Sequence, residues 1–185
     1  TKKDISNKNV QLKNLSSSKI KKPEIFILGD SHAEAIAVPI LNNYMNDYNI
    51  NLSLFSGCQF ILNISRVNKK TLKPTNDKQP CSSKIQEERL EFVNKKNNSI
   101  VILFGRLPLI LEEERFYNSE FGFYEGEMKE FMQNDERSLK TKFERQQNIK
   151  INFFKTIQKL LENNHNIILV YPMPEVGIHV PKVLI

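Results

Sequence analysis

The chain has 185 residues, enough for one domain with a buried core, and its 39% apolar and 26% charged content is that of an ordinary globular protein. No run of about 18 apolar residues occurs, so no membrane-spanning helix is expected within it. The net charge of +6 comes from lysines clustered in the first 22 residues and between Asn68 and Lys84. No Arg/Lys stripe interleaved with aromatic residues accompanies them, so nucleic acid is not an expected partner, although such a surface still attracts anionic glycans or headgroups.

Residues 1–22 are polar and lysine-rich and lack a hydrophobic period, and they read as a flexible arm ahead of a domain spanning residues 23–185. The chain opens at Thr1 without a signal peptide and reads as a fragment or processed polypeptide. After Pro23 the run Glu24-Ile25-Phe26-Ile27-Leu28 predicts a buried parallel strand, broken by Gly29-Asp30-Ser31. A helix follows from His32 to about Tyr48, with Pro39 inside it.

Asn51 to Phe55 predicts a second strand, ended by Ser56-Gly57-Cys58, and residues 59–80 read as a long connection with Pro74 and Pro80. A helix is expected from Ser82 to about Asn94, then a third strand over Ile100 to Phe104, stopped by Gly105-Arg106. Residues 108–135 are mixed and acidic with scattered aromatics, as an insertion or lid-like excursion would be. Helical spacing returns from about Glu136 to Asn163, and Asn166 to Tyr171 predicts a fourth strand before Pro172-Met173-Pro174-Glu175.

Strands alternating with helices, each strand closed by Gly or Pro, predict a three-layer α/β/α domain around a parallel sheet. Ligands of such sheets gather beyond the carboxyl ends of the strands. The residues to inspect are therefore Asp30-Ser31-His32, Gly57-Cys58, Gly105-Arg106 and Pro172 to Gly177. Ser31 falls where a buried strand turns into a helix, whose first N–H groups and positive dipole end suit a developing oxyanion. Gly29 permits a tight turn, and Asp30 can bind backbone amides. Asp and Ser also cap helices, which is the plainer reading of an isolated Gly-Asp-Ser.

Two cysteines, Cys58 and Cys81, are too few for a zinc site without nearby histidines. They are either free thiols or a disulfide, which would close a loop of about 24 residues and stabilise the fold by about 3 kcal/mol. Phosphate-loop and dinucleotide fingerprints are missing, so no metal, nucleotide or other cofactor is expected.

The stretch from Ile25 to Ala33, with Gly29-Asp30-Ser31-His32-Ala33 at its centre, resembles the first block of the SGNH hydrolase superfamily. Its closest likeness is to extracytoplasmic SGNH domains fused to integral-membrane sugar O-acyltransferases. Ser56-Gly57-Cys58 after the second strand, Cys81 beyond the loop, and Val170 to Gly177 with its Pro-x-Pro-Glu resemble further family features. The resemblance covers residues 23 to about 185 and implies a flavodoxin-like sheet. Ser31 would be the nucleophile, its own N–H and that of Gly57 oxyanion donors, and Cys58–Cys81 a disulfide of the periplasm.

Two departures stand out. The family's Asn after the third strand is replaced in Gly105-Arg106-Leu107-Pro108, where Arg106 is either a substitute donor or an ion-pairing arginine. No Asp-x-x-His, the source of the family's base and its orienting carboxylate, occurs either. His32 adjoins Ser31 in sequence, His165 precedes the fourth strand at the far end of the sheet, and His179 alone follows that strand on the correct side. The expectation is truncation before the base, with little activity in these residues alone. The resemblance implies transfer of an acyl group, such as acetyl, from a donor to a cell-envelope glycan such as lipopolysaccharide, beside an integral-membrane acyltransferase domain of the same parent chain at the inner membrane. An esterase or deacetylase, or a non-catalytic glycan-binding module, are the alternatives.

Overall fold

The structure is a computed structural model that describes residues 13–14, 22–75, 81–118, 123–134 and 139–172. In chain order the elements are β1 (Lys13–Asn14), β2 (Glu24–Gly29), α1 (Ser31–Tyr44), β3 (Asn49–Leu54), β4 (Ser65–Asn68), α2 (Ser83–Asn94) and β5 (Ile100–Phe104). They continue with α3 (Leu107–Glu112), β6 (Tyr117–Asn118), β7 (Phe123–Tyr124), β8 (Glu130–Gln133), α4 (Lys142–Glu162) and β9 (Asn166–Leu169). The main sheet has the order β1-β3-β2-β5-β9, and all neighbours run parallel except β1, which joins the edge antiparallel to β3.

The core follows from alternation along these strands. Ile25 and Ile27 of β2 and Ile102 and Phe104 of β5 face α1, where Ala33 and Ala37 let the helix lie close. Phe26, Leu28, Val101 and Leu103 face the other way, against Leu90 and Val93 of α2 and Leu160 of α4. Every strand in the middle of a parallel sheet is apolar on both faces because helices cover both. The result is the three-layer α/β arrangement expected. Chain direction sets the topology: β2 is central, β3 lies on one side, and β5 and β9 lie on the other, so the carboxyl ends of β2 and β5 flank the switch point.

Side-chain caps fix where the helices begin. Asp30 caps α1, Ser82 accepts from the Ile85 N–H at 3.3 Å, and Thr141 and Glu144 form a reciprocal capping box on α4. The last helix therefore starts at Lys142 rather than near Glu136, and α1 ends at Tyr44 rather than Tyr48.

Three other segments differ from expectation. Residues 59–80 hold a strand, β4, which pairs antiparallel with β8 from the acidic excursion. That excursion also carries the two-stranded ribbon β6–β7. Lys13 and Asn14, within the expected flexible arm, pair with Leu52 and Asn51.

Cys58 and Cys81 are joined by a disulfide with Cα atoms 5.5 Å apart, packed among Ile61, Ile64, Ile110, Met132 and Ile149. Among the described residues no helix is long and apolar enough to cross a membrane, and no cluster of three metal-ligating side chains occurs.

Candidate active site

The loops after β2, β3 and β5 leave the sheet at one level. Gly29 pairs with Leu54 on one side and Phe104 on the other, and the Phe55 N–H donates to the Gly29 carbonyl at 3.1 Å. Gly29 is required here by close approach: an added Cβ would lie 1.7 Å from the Phe104 carbonyl oxygen and 2.7 Å from the Ala33 Cβ. Asp30, Ser31, Gly57, Gly105 and Arg106 are thereby gathered at the carboxyl ends of neighbouring strands.

Asp30 binds these loops together. Its carboxylate is 2% exposed; Oδ1 accepts from the His32 N–H at 2.8 Å, and Oδ2 accepts from Gln59 Nε2 and from the Arg106 N–H, each at 2.8 Å. Gln59 also donates to the Arg106 carbonyl at 3.2 Å. Gly105 leaves the room for this, since a Cβ there would meet Gln59 Cγ at 2.8 Å. The N-cap residue of α1 thus ties the first loop to the second and third.

The negative charge of Asp30 is matched from below by Arg89 of α2, a fully buried guanidinium. It donates to the Gly29 and Ser53 carbonyls at 3.1 and 2.8 Å, to Ser53 Oγ at 3.0 Å, and to the Cys58 carbonyl at 3.2 Å. It also sits 5.0 Å from the ring centroids of both Phe55 and Phe60. Burial pushes the guanidinium down to about 9, against the pull of the Asp30 carboxylate, so it is charged at neutral pH.

Ser31 opens α1 and its side chain is exposed; the hydroxyl hydrogen-bonds to none of the described residues. Gly57 has a φ of +63°, which glycine adopts without strain, and is also exposed. Its carbonyl and that of Ser56 accept from Arg66 Nη2 at 3.3 and 3.2 Å, which turns the carbonyls of this turn towards Arg66. The Gly57 N–H donates to none of the described residues.

Of the two readings of Arg106, substitute donor or ion-pairing arginine, the structure shows an ion pair. Its backbone N–H is taken by Asp30, and its guanidinium reaches Glu125, just past β7, with Nη2 2.6 Å from Oε2. Burial alone would raise the Glu125 carboxyl, but the Arg106 guanidinium, the Phe116 N–H and Arg115 outweigh it and hold the carboxyl below its usual range. The β6–β7 ribbon is thereby fastened to the end of β5.

His32 lies beside the crevice and His165 at the amino end of the sheet. His32 packs edge-on to Phe104 at 6.4 Å, and its Nδ1 lies 3.4 Å from Asp30 Oδ1 without hydrogen-bond alignment. His165 is buried at the amino end of β9, where Nδ1 accepts from the Ser99 N–H at 3.3 Å. Burial pulls its pKa down, partly offset by that hydrogen bond, and the ring is a neutral structural group. His179, with Glu175 and Gly177, lies outside the described residues.

Gln59, Arg66, Arg89 and Glu125 are the residues sequence reasoning missed. For Arg89 a signal existed: Gln86, Arg89, Leu90 and Val93 repeat at helical spacing, which puts the charge on the buried stripe. Beside the Asp30 cluster an apolar cavity of about 130 Å³ opens, lined by Leu28, Phe60, Leu103, Phe153 and Pro172, with Gln59 and Gly105 at its wall.

The family model for the SGNH domain fused to AT3 domains matches residues 2–184. No curated protein matches the chain. Among solved structures it is similar to the periplasmic domain of the lipopolysaccharide acetyltransferase of Salmonella ser. Paratyphi A, at 18% identity and a TM-score of 0.49. The match covers 84% of this chain and 46% of that one, so the chain spans about half the length of that relative. A serine at the head of α1, on a flavodoxin-like parallel sheet, and a family match over almost its whole length place this chain among the SGNH domains that occur fused to AT3 domains.

Proposed function

We propose that this chain is the catalytic part of a periplasmic O-acyltransferase, in which Ser31 carries an acyl group to a hydroxyl of a cell-envelope glycan. The single observation that carries the reading is the exposed Ser31 hydroxyl in the first turn of a 14-residue helix, with the exposed turn of Gly57 at the end of the neighbouring strand β3. Family membership supports the acyl chemistry and an integral-membrane acyltransferase domain in the parent protein. The disulfide supports an oxidising compartment.

In the first half-reaction the Ser31 oxygen attacks the carbonyl carbon of an acyl donor, and a base takes the hydroxyl proton. Negative charge develops on the carbonyl oxygen at the N-terminus of α1, where the N–H groups of Ser31 and Gly57 donate to it. The donor's leaving group departs with that proton, leaving an acyl-serine. A glycan hydroxyl then attacks the ester, gives its proton to the same base, and takes the acyl group, which restores Ser31.

The base is an imidazole outside the described residues, and His179 is this chain's own histidine there. Arg106 holds the rim through Glu125, and Asp30 and Gln59 position the loops. The apolar cavity suits a short acyl tail, being close in size to one that accepts benzene.

The test is made on the full-length parent protein. Serine-directed phosphonate should label Ser31, and Ser31→Ala should abolish both the label and O-acylation of the cell's glycan. Free acetate without acylated glycan would turn the reading into an esterase. A Ser31→Ala cell with unchanged glycan acylation would leave a glycan-binding module.

A further inference from the structure

The ribbon fastened by Arg106 carries an aromatic pair that the chemistry above does not use. Tyr117 of β6 and Tyr124 of β7 are directly opposite in register, so both side chains lie on one face of the ribbon. Their rings are 5.8 Å apart and perpendicular, and they are 62% and 54% exposed. Two perpendicular rings standing in solvent make an L-shaped notch whose walls are π faces. Each face is electronegative, and a pyranose ring offers it a matching face of polarised C–H bonds.

The notch is tied to the catalytic crevice by short steps. Tyr124 precedes Glu125, whose Oε2 is 2.6 Å from Arg106 Nη2; the Arg106 N–H is 2.8 Å from Asp30 Oδ2; and Asp30 precedes Ser31. These contacts fix the ribbon against the loop that follows β5, at the strand ends where Ser31 also lies. The exposed charge around this excursion is mixed: Glu112 and Glu114 share Lys142, and Glu127 stands with the exposed Arg115 and Lys129. Carboxylates and cations interspersed in this way can hydrogen-bond sugar hydroxyls without setting up a field of one sign.

We propose that Tyr117 and Tyr124 form a stacking subsite for a pyranose ring of the acceptor glycan, next to the sugar that is acylated rather than at it. This rests on the glycan acyltransferase reading and names where the acceptor is held. The subsite fixes the polymer while the reacting hydroxyl is presented to the acyl-serine.

The test uses the full-length protein carrying Ser31→Ala, so that nothing turns over. The probe is a tetrasaccharide fraction of the cell's own envelope polysaccharide, freed of acyl groups by alkali. Tyr117→Ala with Tyr124→Ala should weaken its Kd about tenfold, the loss of roughly one stacking contact, while the double Phe variant keeps the parent affinity. A second reading needs no change at the pair: the saccharide should protect both tyrosines from nitration, mapped by mass spectrometry. Unchanged Kd in the Ala variant, or nitration of both rings unaffected by saccharide, overturns the proposal. So does loss of binding to phosphatidylglycerol vesicles in the Ala variant with saccharide affinity intact, which would make the pair a membrane contact. Protection of both tyrosines in a protein whose Ser31 takes no phosphonate would keep the subsite and discard the catalytic reading alone.

Discussion

Two arginine and carboxylate arrangements flank the crevice, and burial separates them. In the floor, Asp30 and Arg89 are 2% and 0% exposed and make no direct hydrogen bond to one another; Asp30 is held by groups of three loops, and Arg89 by carbonyls of β2, β3 and the loop after β3. At the rim, Arg106 and Glu125 have side chains 12% and 25% exposed and meet head-on at 2.6 Å. A buried charge is tolerable only when its partners are complete, so the floor works as a single rigid unit. The rim pair keeps more contact with solvent than the floor, so breaking it costs less.

The sharpest way to break this contrast is Gly29→Ala. Its Cβ meets the Phe104 carbonyl, a backbone atom that cannot turn aside, so a loss of about 4 kcal/mol or more is expected, read by thermal unfolding. A melt close to that of the parent would mean the strands are not held this tightly. Arg89→Met strips the floor of its cation while filling its space and should cost about 3–5 kcal/mol, because Asp30 and three carbonyls lose their match. Reducing the disulfide should cost about 3 kcal/mol, seen as a lower urea midpoint with dithiothreitol.

The smallest effect is expected at the rim. Glu125→Gln should change global stability by under about 1 kcal/mol, yet speed hydrogen exchange at the Glu125 amide, which donates to the Phe116 carbonyl. The sign with pH follows from its lowered carboxyl. The attachment is complete above the unfolded glutamate value of about 4.3 and is lost as pH falls through the lower folded value. Exchange at that amide should accelerate over that range in the parent and show no such step in the Gln variant.

The parallel strands and the level of the crevice were legible because β2 and β5 are apolar runs closed by Gly, a signal that burial on both faces imposes, and β9 is a third apolar run followed by Pro. The small sheet β4–β8 was not. Ser65-Arg66-Val67-Asn68 is short and half polar, and its pairing with β8 is decided by a partner more than 60 residues away. Ser31, Gly57 and Arg106 were legible as strand-end residues. Where the Arg106 amide points was not, because that depends on Asp30 facing the α2 side of the sheet, a consequence of the alternation of β2 rather than of any motif. The reach of the Arg106 guanidinium to Glu125 is equally a matter of how the excursion folds back.

One feature of the sheet bears on handling rather than chemistry. Among the described residues β9 has a single neighbour, β5, and Ile168 and Leu169 are about half exposed. Where no further strand pairs with that flank, its apolar side chains invite a second molecule to zip onto it. If that flank is bare, light scattering should register dimers and larger clumps that grow with concentration well before any loss of helix, and charged substitutions at Ile168 and Leu169 should abolish them.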